Sequence, residues 1–140
     1  MDKTLFKRRY VSCIVLTQDL RILLQTRDET KAFPGYVSTF GGGIEANEMP
    51  IQALIRELHE ELGANVNESE VISFGTITDA ISKYTELVYL YFWHDHLGTI
   101  TGCYEGKPLY FDDIDSVKIY PKVMDYVPWL LEACKNSGVL

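Results

Sequence analysis

Three glutamates near the middle of the chain have a spacing that could gather a metal ion. Glu57, Glu60 and Glu61 stand at positions i, i+3 and i+4, and residues at these offsets are neighbours on the surface of a helix. Carboxylates crowded in this way repel each other at neutral pH unless a cation neutralises their charge. Mg2+ takes carboxylate, carbonyl and phosphate oxygens as ligands. The spacing by itself is typical of either a solvated acidic face or a site for a divalent cation.

Three consecutive glycines precede these glutamates. Gly41, Gly42 and Gly43 follow a short stretch with the pattern of a strand, and glycine lets the backbone approach a phosphate or a metal closely. A free carbonyl at this place is a hard oxygen ligand, whereas the simpler interpretation is a tight turn between a strand and a loop. Together with the glutamates, the glycines favour a site for a metal ion and a phosphate.

The segment that carries the glutamates has the strongest helical pattern of the chain. Its apolar residues fall on one stripe, which consists of Ile51, Leu54, Ile55, Leu58 and Leu62. Pro50 suits a first helical turn, and Gly63 suits a helix end that needs a positive φ. The pattern therefore predicts a helix from about Met49 to Leu62, with the glutamates on a second face.

The residues around this helix resemble the Nudix box, G-x5-E-x7-R-E-U-x-E-E-x-G-U, in which U is a bulky aliphatic residue. The matching positions are Gly42, Glu48, Arg56, Glu57, Leu58, Glu60, Glu61, Gly63 and Ala64. Only Ala64 departs from the pattern, because it is smaller than the usual aliphatic residue, and this affects packing more than chemistry. The sequence is similar to the small MutT-like members of the Nudix hydrolase family.

The resemblance implies a single Nudix hydrolase domain over residues 1–140, folded as an α/β/α sandwich with a mixed sheet between helices. The order of elements along the chain agrees with that fold class, an α/β (α+β) arrangement. Besides the central helix, the patterns predict strands over Tyr10–Leu16, Arg21–Thr26, Tyr36–Phe40, Val71–Thr78, Glu86–His94 and Leu109–Phe111, one helical turn over Asp112–Ser116 and a last helix over Lys122–Lys135.

The resemblance also assigns roles to the box residues. Metal ligands in the family correspond to Glu57, Glu60, Glu61 and the carbonyl of Gly42, with Mg2+ as the expected cofactor and Mn2+ as the alternative. Arg56 corresponds to the residue that orients a box glutamate through an ion pair. Glu48 corresponds to a structural residue that ties the loop to the helix. Nudix enzymes hydrolyse a nucleoside diphosphate that is linked to another group.

The expected reaction needs a metal ion and a proton acceptor. Metal ions bridge phosphoryl oxygens and acidify a bound water, and a carboxylate takes the remaining proton. Glu60 and Glu61 are candidates for this acceptor. Glu105 is a third, because some MutT-like enzymes place an acidic residue in the loop before the last strand; the alternative for Glu105 is an exposed turn.

Two further groups of residues have polar side chains at strand ends. Arg27 ends the second predicted strand, and the similar position in MutT-like enzymes often meets a substrate phosphate; the alternative is a surface arginine. We expect Arg27 and the three glycines to bind substrate. His94, Asp95 and His96 resemble part of a metal site, but no third ligand has suitable spacing, so we interpret them as a polar strand exit.

The substrate is predicted less sharply than the reaction. Proline and tyrosine markers of the ADP-ribose and dinucleoside polyphosphate hydrolases are replaced by Ala80 and Ile81. The short chain favours a small substrate, such as a normal or oxidised nucleoside triphosphate cleaved to the monophosphate and pyrophosphate. Nucleotide sugars and dinucleoside polyphosphates are the alternatives. An inactive nucleotide-binding regulatory module is disfavoured, because such modules typically lose box glutamates.

The composition limits the location and partners of the protein. Among 140 residues, 13 lysines and arginines stand against 20 aspartates and glutamates, for a net charge of -7, which disfavours nonspecific duplex binding. The longest apolar run, Leu87–Trp93, is too short to span a membrane, and the N-terminal residues lack the apolar core of a signal peptide. The three cysteines are isolated, as expected for reduced thiols. We expect a cytoplasmic monomer or homodimer that binds a small nucleotide, with no membrane or stable nucleic-acid partner.

Overall fold

The computed structural model describes residues 6–78 and 83–140, and in these ranges it contains seven strands and three α-helices. The strands are β1 (Arg8–Leu16), β2 (Ile22–Thr26), β3 (Val37–Ser38), β4 (Phe40–Gly43), β5 (Ile72–Ile77), β6 (Glu86–His94) and β7 (Lys107–Phe111). The helices are α1 (Pro50–Leu62), α2 (Ile114–Lys118) and α3 (Tyr126–Asn136), and a 3-10 turn spans Glu68–Glu70. Ala80 and Ile81, the positions of the two subfamily markers, lie outside the described residues.

The strands form one mixed sheet with the order β3-β2-β1-β6-β5. β4 pairs with the first half of β1, and β7 pairs with β2. The β1–β6 pair is parallel, whereas the other strand pairs are antiparallel. This arrangement confirms the predicted mixed sheet, with β1 at its centre.

Helices cover both faces of the sheet because successive strand residues point to opposite sides. One core contains alternate β1 residues and the buried side of α1, namely Val11, Cys13, Val15, Leu54, Leu58 and Leu62. The other core contains β1 residues that point to the opposite side and the buried side of α3, namely Ile14, Leu16, Val127, Leu130 and Leu131. The predicted α/β/α sandwich is therefore confirmed. In the described ranges, no helix is long and apolar enough to span a membrane.

α1 follows the sequence prediction closely. It begins at Pro50 and ends at Leu62, and Gly63 adopts the left-handed conformation with a φ of 67°. A Cβ atom at Gly63 would lie 1.9 Å from the Thr101 hydroxyl, so both the backbone conformation and the packing require glycine. Ala64 is buried in the core beside α1, where its small side chain fits.

The single strand predicted over Tyr36–Phe40 is divided into β3 and β4, and the glycine turn that was the simpler interpretation does not form. The chain changes partner at Thr39, so that β3 pairs with β2 while β4 pairs with β1. The three glycines belong to β4 and pair with Tyr10, Val11 and Ser12. Gly41 has a φ of 150°, and a Cβ atom there would lie 2.0 Å from the Val11 carbonyl oxygen. Glycine thus permits a close approach of two strands at this point.

The last helix starts later than Lys122, its predicted first residue. The preceding segment is extended beside β3, where Val123 forms a bridge with Val37. The Val37 N–H donates to the Lys122 carbonyl, and the Met124 N–H donates to the Val37 carbonyl. These backbone groups are used by the sheet, so α3 begins only at Tyr126.

The short helix predicted over Asp112–Ser116 is shifted to Ile114–Lys118, with Asp113 as its N-cap.

The cysteines are free, as the sequence suggested. Cys13 and Cys134 are buried in the two cores, and Cys103 is partly exposed. Burial raises the pKa of all three thiols. A raised pKa keeps a thiol protonated and unreactive at neutral pH.

Candidate active site

A cleft of about 640 Å³ opens beside the glycine strand β4. Its floor includes the backbone of Gly41–Gly43 together with Ser12 and Thr39, and Arg27 and Glu105 lie on its walls. The structure thus places these predicted substrate-binding and acidic residues along one cavity. Two of the box glutamates, Glu57 and Glu61, approach the same glycines from α1.

Arg56 lies at the centre of an ion-pair network that joins α1 to the loop before it. Its Nε and Nη2 atoms donate to the two carboxylate oxygens of Glu48, each at 2.9 Å. Nη1 donates to Glu57 at 2.8 Å, and Nη2 also donates to the Gly43 carbonyl at 2.9 Å. Glu45 lies 3.8 Å from Nη1. A guanidinium presents several donors in a fixed plane, so this one side chain fixes two carboxylates and the end of β4.

Hydrogen bonds from Arg56 favour the charged form of its main partner, Glu48. The hydrogen bonds from Arg56 and from the Glu45 N–H lower the pKa of Glu48 to about 2. The same bonds to Glu48 raise the pKa of Arg56. Glu48 is thus a permanently charged structural residue, which agrees with the role expected from the resemblance.

Glu57 lies against the glycine strand. A Cβ atom at Gly42 would be 2.5 Å from the Glu57 carboxyl carbon, so the carboxylate occupies the space that a side chain there would need. Burial raises the pKa of Glu57, while the hydrogen bond and charge of Arg56 act in the opposite direction. Gly42 therefore lacks a side chain at the point where the Glu57 carboxylate lies.

Glu61 is almost completely buried, with 2% of its surface exposed. One carboxylate oxygen accepts the Gly41 N–H at 3.0 Å, and the other accepts the side-chain amide of Gln25 at 3.4 Å. Burial, followed by the negative charges of Glu105 and Glu57, raises its pKa to about 9. In the described part of the chain, no lysine or arginine pairs with Glu61. The described part of the chain therefore supplies no cation that would hold Glu61 in its charged form.

Glu60 differs from the other two box glutamates. Its side chain is 58% exposed, and its carboxylate lies 3.6 Å from Arg56. Glu57 and Glu61 turn towards the glycines, whereas Glu60 lies at the outer edge of α1. Among residues 6–78 and 83–140, no three acidic, histidine or cysteine side chains converge into a group that could hold a metal ion as they stand. Arg56 holds Glu57 and lies near Glu60, while Glu61 points to Gly41.

The donors near the glycines nevertheless fit a hard divalent cation. They are oxygen atoms only, which Mg2+ prefers, and one of them belongs to a buried carboxylate without a counterion. At Gly42 no side chain separates the backbone from the Glu57 carboxylate. The chemistry of the donor set thus agrees with the divalent metal ion that the resemblance implies.

Arg27 and Glu105 flank the cleft from two loops. The Arg27 Nε donates to the Ala32 carbonyl at 2.5 Å, which fixes the loop after β2. Glu105 lies 3.8 Å from the Lys31 ammonium, so this carboxylate has a cation at the rim of the cleft. Both predicted residues therefore border the same space.

Sequence reasoning missed a set of polar residues inside the sheet. Gln25 contacts Glu61, and three hydroxyl groups form a chain in which Ser12 bonds to Thr39 and Thr39 bonds to Tyr126. The Thr39–Tyr126 distance is 2.9 Å. The available signal was a single polar residue within an otherwise apolar strand, as in the Gln of ILLQT and the Ser of YVSCIVL.

The residues at the end of β6 have a structural role. Asp95 is buried, and its carboxylate accepts the backbone N–H groups of Thr99 and Ile100. His96 pairs with Glu70 near the surface. These contacts agree with the interpretation of His94, Asp95 and His96 as a polar strand exit, since Asp95 caps the turn that follows the strand.

Comparison with known proteins places the chain in a family. A model of the NUDIX domain matches residues 6–130. The sequence is 30% identical to CTP pyrophosphohydrolase of Escherichia coli K12 over 125 residues, which cover 88% of each chain. It is 34% identical over 80 residues to nucleoside triphosphatase NudI of Escherichia coli, a match that covers 56% of each chain.

Solved structures agree with this assignment. The solution structure of the E. coli ORF135 protein has a TM-score of 0.69 and 26% identity, and the match covers 99% of this chain and 97% of that one. A MutT structure from work on Aliivibrio salmonicida and Vibrio cholerae has a TM-score of 0.72 and covers 92% of this chain and 98% of that one. At 22% identity, the MutT structure supports the fold alone. Since the family model covers most of the chain, the protein belongs to the NUDIX family as a MutT-like hydrolase of phosphoanhydride bonds.

Proposed function

We propose that the protein is a Mg2+-dependent pyrophosphohydrolase that cleaves a nucleoside triphosphate to the monophosphate and pyrophosphate. The observation that carries this proposal is the pair of inward-facing carboxylates, Glu57 and Glu61, against a glycine strand that floors a nucleotide-sized cleft. The names of two relatives, CTP pyrophosphohydrolase and nucleoside triphosphatase NudI, support the choice of substrate class. Since the first of them is similar along 88% of the chain, CTP is the first substrate to test.

In this proposal, the carboxylates of Glu57, Glu60 and Glu61 and the carbonyl of Gly42 hold the metal ion. Mg2+, or Mn2+ in its place, would supply Lewis acidity at the phosphoryl oxygens and a lowered pKa for an attacking water. Glu57 and Glu61 already face the glycines. Glu60 is exposed and reaches the ion by rotation of its side chain away from Arg56.

The remaining chemistry belongs to residues of the cleft. The backbone of Gly41–Gly43 lets the phosphate chain approach closely, since no side chain intervenes. Arg27 and Lys31 lie on the cleft wall, where their positive charges neutralise phosphate oxygens. Glu105, on the same wall, accepts the proton that the attacking water loses.

The cleft also has room and surfaces for a nucleoside. Its volume lies within the roughly 300–1,000 Å³ typical of sites for small molecules. Aromatic and apolar side chains of Tyr10, Phe33, Ile77 and Tyr126 contribute to its walls. Such surfaces stack on a base, while the hydroxyl groups offer hydrogen bonds to the base or the sugar.

A cytoplasmic location and a monomer or homodimer that binds no nucleic acid remain predictions from the sequence.

A substrate panel tests this function directly. The purified chain is incubated with Mg2+ and CTP, the other nucleoside triphosphates, an oxidised triphosphate, nucleotide sugars and dinucleoside polyphosphates, and the release of phosphate and pyrophosphate is measured. We expect pyrophosphate and monophosphate from a triphosphate, and no product when a chelator is in excess. The Glu57→Gln, Glu61→Gln double variant controls for contaminating hydrolases.

Three results would contradict the proposal. Activity on sugar-linked diphosphates alone would assign the protein to the alternative class of nucleotide-sugar hydrolases. Activity that persists in excess chelator would exclude the metal. Nucleotide binding without turnover of any substrate would identify an inactive regulatory module.

A further inference from the structure

Gln25 is a buried polar residue in a strand that is otherwise apolar. β2 has the sequence ILLQT, and only 7% of the Gln25 surface is exposed. A buried amide without partners is costly, since its donors and acceptor lose water on folding. The partners of this side chain therefore indicate why a polar residue stands at this position.

The Gln25 amide lies between three parts of the site. Its Nε2 donates to the Thr39 carbonyl at 3.1 Å and to the Glu61 carboxylate at 3.4 Å. Its oxygen faces Gly106, where a Cβ atom would lie 2.4 Å away. A flipped amide would direct oxygen at two acceptors, so the network fixes its orientation. Gln25 thus connects α1 with the β3–β4 junction and with the loop that carries Glu105.

Glu61 depends on two neutral donors for its position. The Gly41 N–H binds one oxygen, and the Gln25 amide binds the other. The backbone donor belongs to β4, whereas the side-chain donor belongs to β2. Two donors from different strands restrain both rotation and tilt of the carboxylate. Without Gln25, the second oxygen loses its donor from β2, and the Gly41 N–H and the Glu57 carboxyl remain as hydrogen-bond partners of Glu61.

We propose that Gln25 is a positioning residue that holds the Glu61 carboxylate in the orientation needed beside the glycine strand and sets its separation from the Glu105 loop. This inference rests on the proposed function, because it assigns Gln25 a role in that reaction through Glu61. Gln25 borders the cleft, but its amide nitrogen is engaged by the Thr39 carbonyl and the Glu61 carboxylate. If it acts through Glu61, its loss lowers kcat and leaves KM unchanged. Partners of metal-binding side chains typically contribute 10–100-fold to activity or metal affinity.

The test compares the full-length wild type with Gln25→Met, which keeps the size of the side chain and removes the donor. The Gly41 amide resonance in 15N-labelled, metal-free protein reports whether the Glu61 carboxylate has moved, independently of activity. We expect this resonance to shift and its hydrogen exchange to become faster. We also expect kcat to fall on the order of 10-fold or more, with KM within about twofold of the wild-type value.

Ser38→Ala is the matched control. Ser38 is buried opposite Gln25 in the β2–β3 pair and donates to the same Thr39 carbonyl, but no hydrogen bond joins it to Glu61. We expect this variant to keep the Gly41 resonance and kcat. Gln25→Leu, which also removes the amide donor and adds no charge, serves as a second variant if Gln25→Met does not fold, and the same shift and loss are expected.

Two outcomes overturn the inference. One is a folded Gln25 variant whose Gly41 resonance and kcat match those of the wild type. The other is a raised KM with an unchanged kcat, which would place Gln25 in contact with the substrate. If the wild type itself hydrolyses no triphosphate, the proposed function fails, while the Gly41 resonance still decides whether Gln25 holds Glu61.

Discussion

Glu48, just before α1, and Glu61, in its last turn, show opposite ways of placing a carboxylate. Glu48 binds the Arg56 guanidinium through two hydrogen bonds of 2.9 Å, and its pKa falls to about 2. Glu61 is buried between two neutral donors and near two other carboxylates, and its pKa rises to about 9. The same type of side chain is thus fully paired at one end of the helix and left without a counterion at the other.

The difference separates a structural region from a functional one. An ion pair that is satisfied within the chain needs nothing further, and the Arg56 network fastens the loop to the helix. A buried carboxylate without a cation is unfavourable for folding by itself. Strongly perturbed carboxyl groups beside a cleft are typical of functional sites. Glu61 therefore identifies the end of α1 where a cation from outside the chain is expected.

The largest effect is expected from removing the inward-facing carboxylates. Glu57→Gln and Glu61→Gln should each lower kcat by on the order of 100-fold or more, because each removes a carboxylate that we propose as a metal ligand. Glu60→Gln should lower kcat less, on the order of 10-fold, since that carboxylate starts from an exposed position. Steady-state kinetics at saturating Mg2+ measure these values. Near-normal turnover in Glu61→Gln would contradict the proposal that Glu61 binds the metal ion.

Replacing Arg56 tests whether its ion pairs with Glu48 and Glu57 stabilise the fold. Arg56→Met leaves Glu48 and Glu57 without their cation, so we expect the free energy of unfolding to fall by about 2 kcal/mol. Urea denaturation measures the loss. Lys118→Met, which breaks the exposed pair with Glu132, is the control and should have the smaller effect. Equal losses in the two variants would mean that the network around Arg56 is no stronger than a surface ion pair.

Adjacent glycines allow fold and function to be separated. Gly42→Ala places a Cβ atom against the end of the flexible Glu57 side chain, so the carboxylate should move while the fold survives. We expect kcat to fall on the order of 10-fold with little change in Tm. Gly41→Ala meets the Val11 backbone instead and should mainly lower Tm. A Gly42→Ala protein with wild-type kcat would show that the position of Glu57 does not matter.

The pH dependence of stability gives the smallest expected effect. Burial raises the pKa of Glu61 from 4.5 to about 9, so the folded, metal-free chain keeps a proton that the unfolded chain releases. The stability contributed by this proton is present below about pH 4.5 and is lost as the pH rises towards 9. Glu61→Gln should therefore be more stable than the wild type by about 1 kcal/mol or more at pH 8, and equally stable at pH 4. Thermal unfolding in excess chelator measures the difference, and equal stability at both pH values would contradict it.

The sequence predicted α1 well because several independent signals agree there. The apolar stripe, Pro50 and Gly63 define the helix, and the box letters fall on it at fixed offsets. The sequence did not predict in the same way that the three glycines form part of a strand. Gly41–Gly43 have no side chains to show an alternating pattern, and only the pairing of β4 with β1 reveals their conformation.

The division among the three glutamates also needed the structure. The spacing places them near each other, but the rotation of α1 in the fold decides which of them face inwards. Glu57 and Glu61 lie one turn apart, next to the buried stripe of Leu54, Leu58 and Leu62, whereas Glu60 is displaced around the helix. Gln25 was hidden for a similar reason, because a single polar residue in a strand does not indicate its partner in space.

A crystal structure of the full chain grown with Mn2+ tests the central claim most directly, since the anomalous signal locates the ion without reference to activity. We expect a Mn2+ peak within coordination distance of carboxylate oxygens of Glu57, Glu60 and Glu61 and of the Gly42 carbonyl, with Glu48 still bound to Arg56. A structure at saturating Mn2+ in which no ion binds these oxygen atoms, or in which the ion binds only other residues, would contradict the proposed metal site.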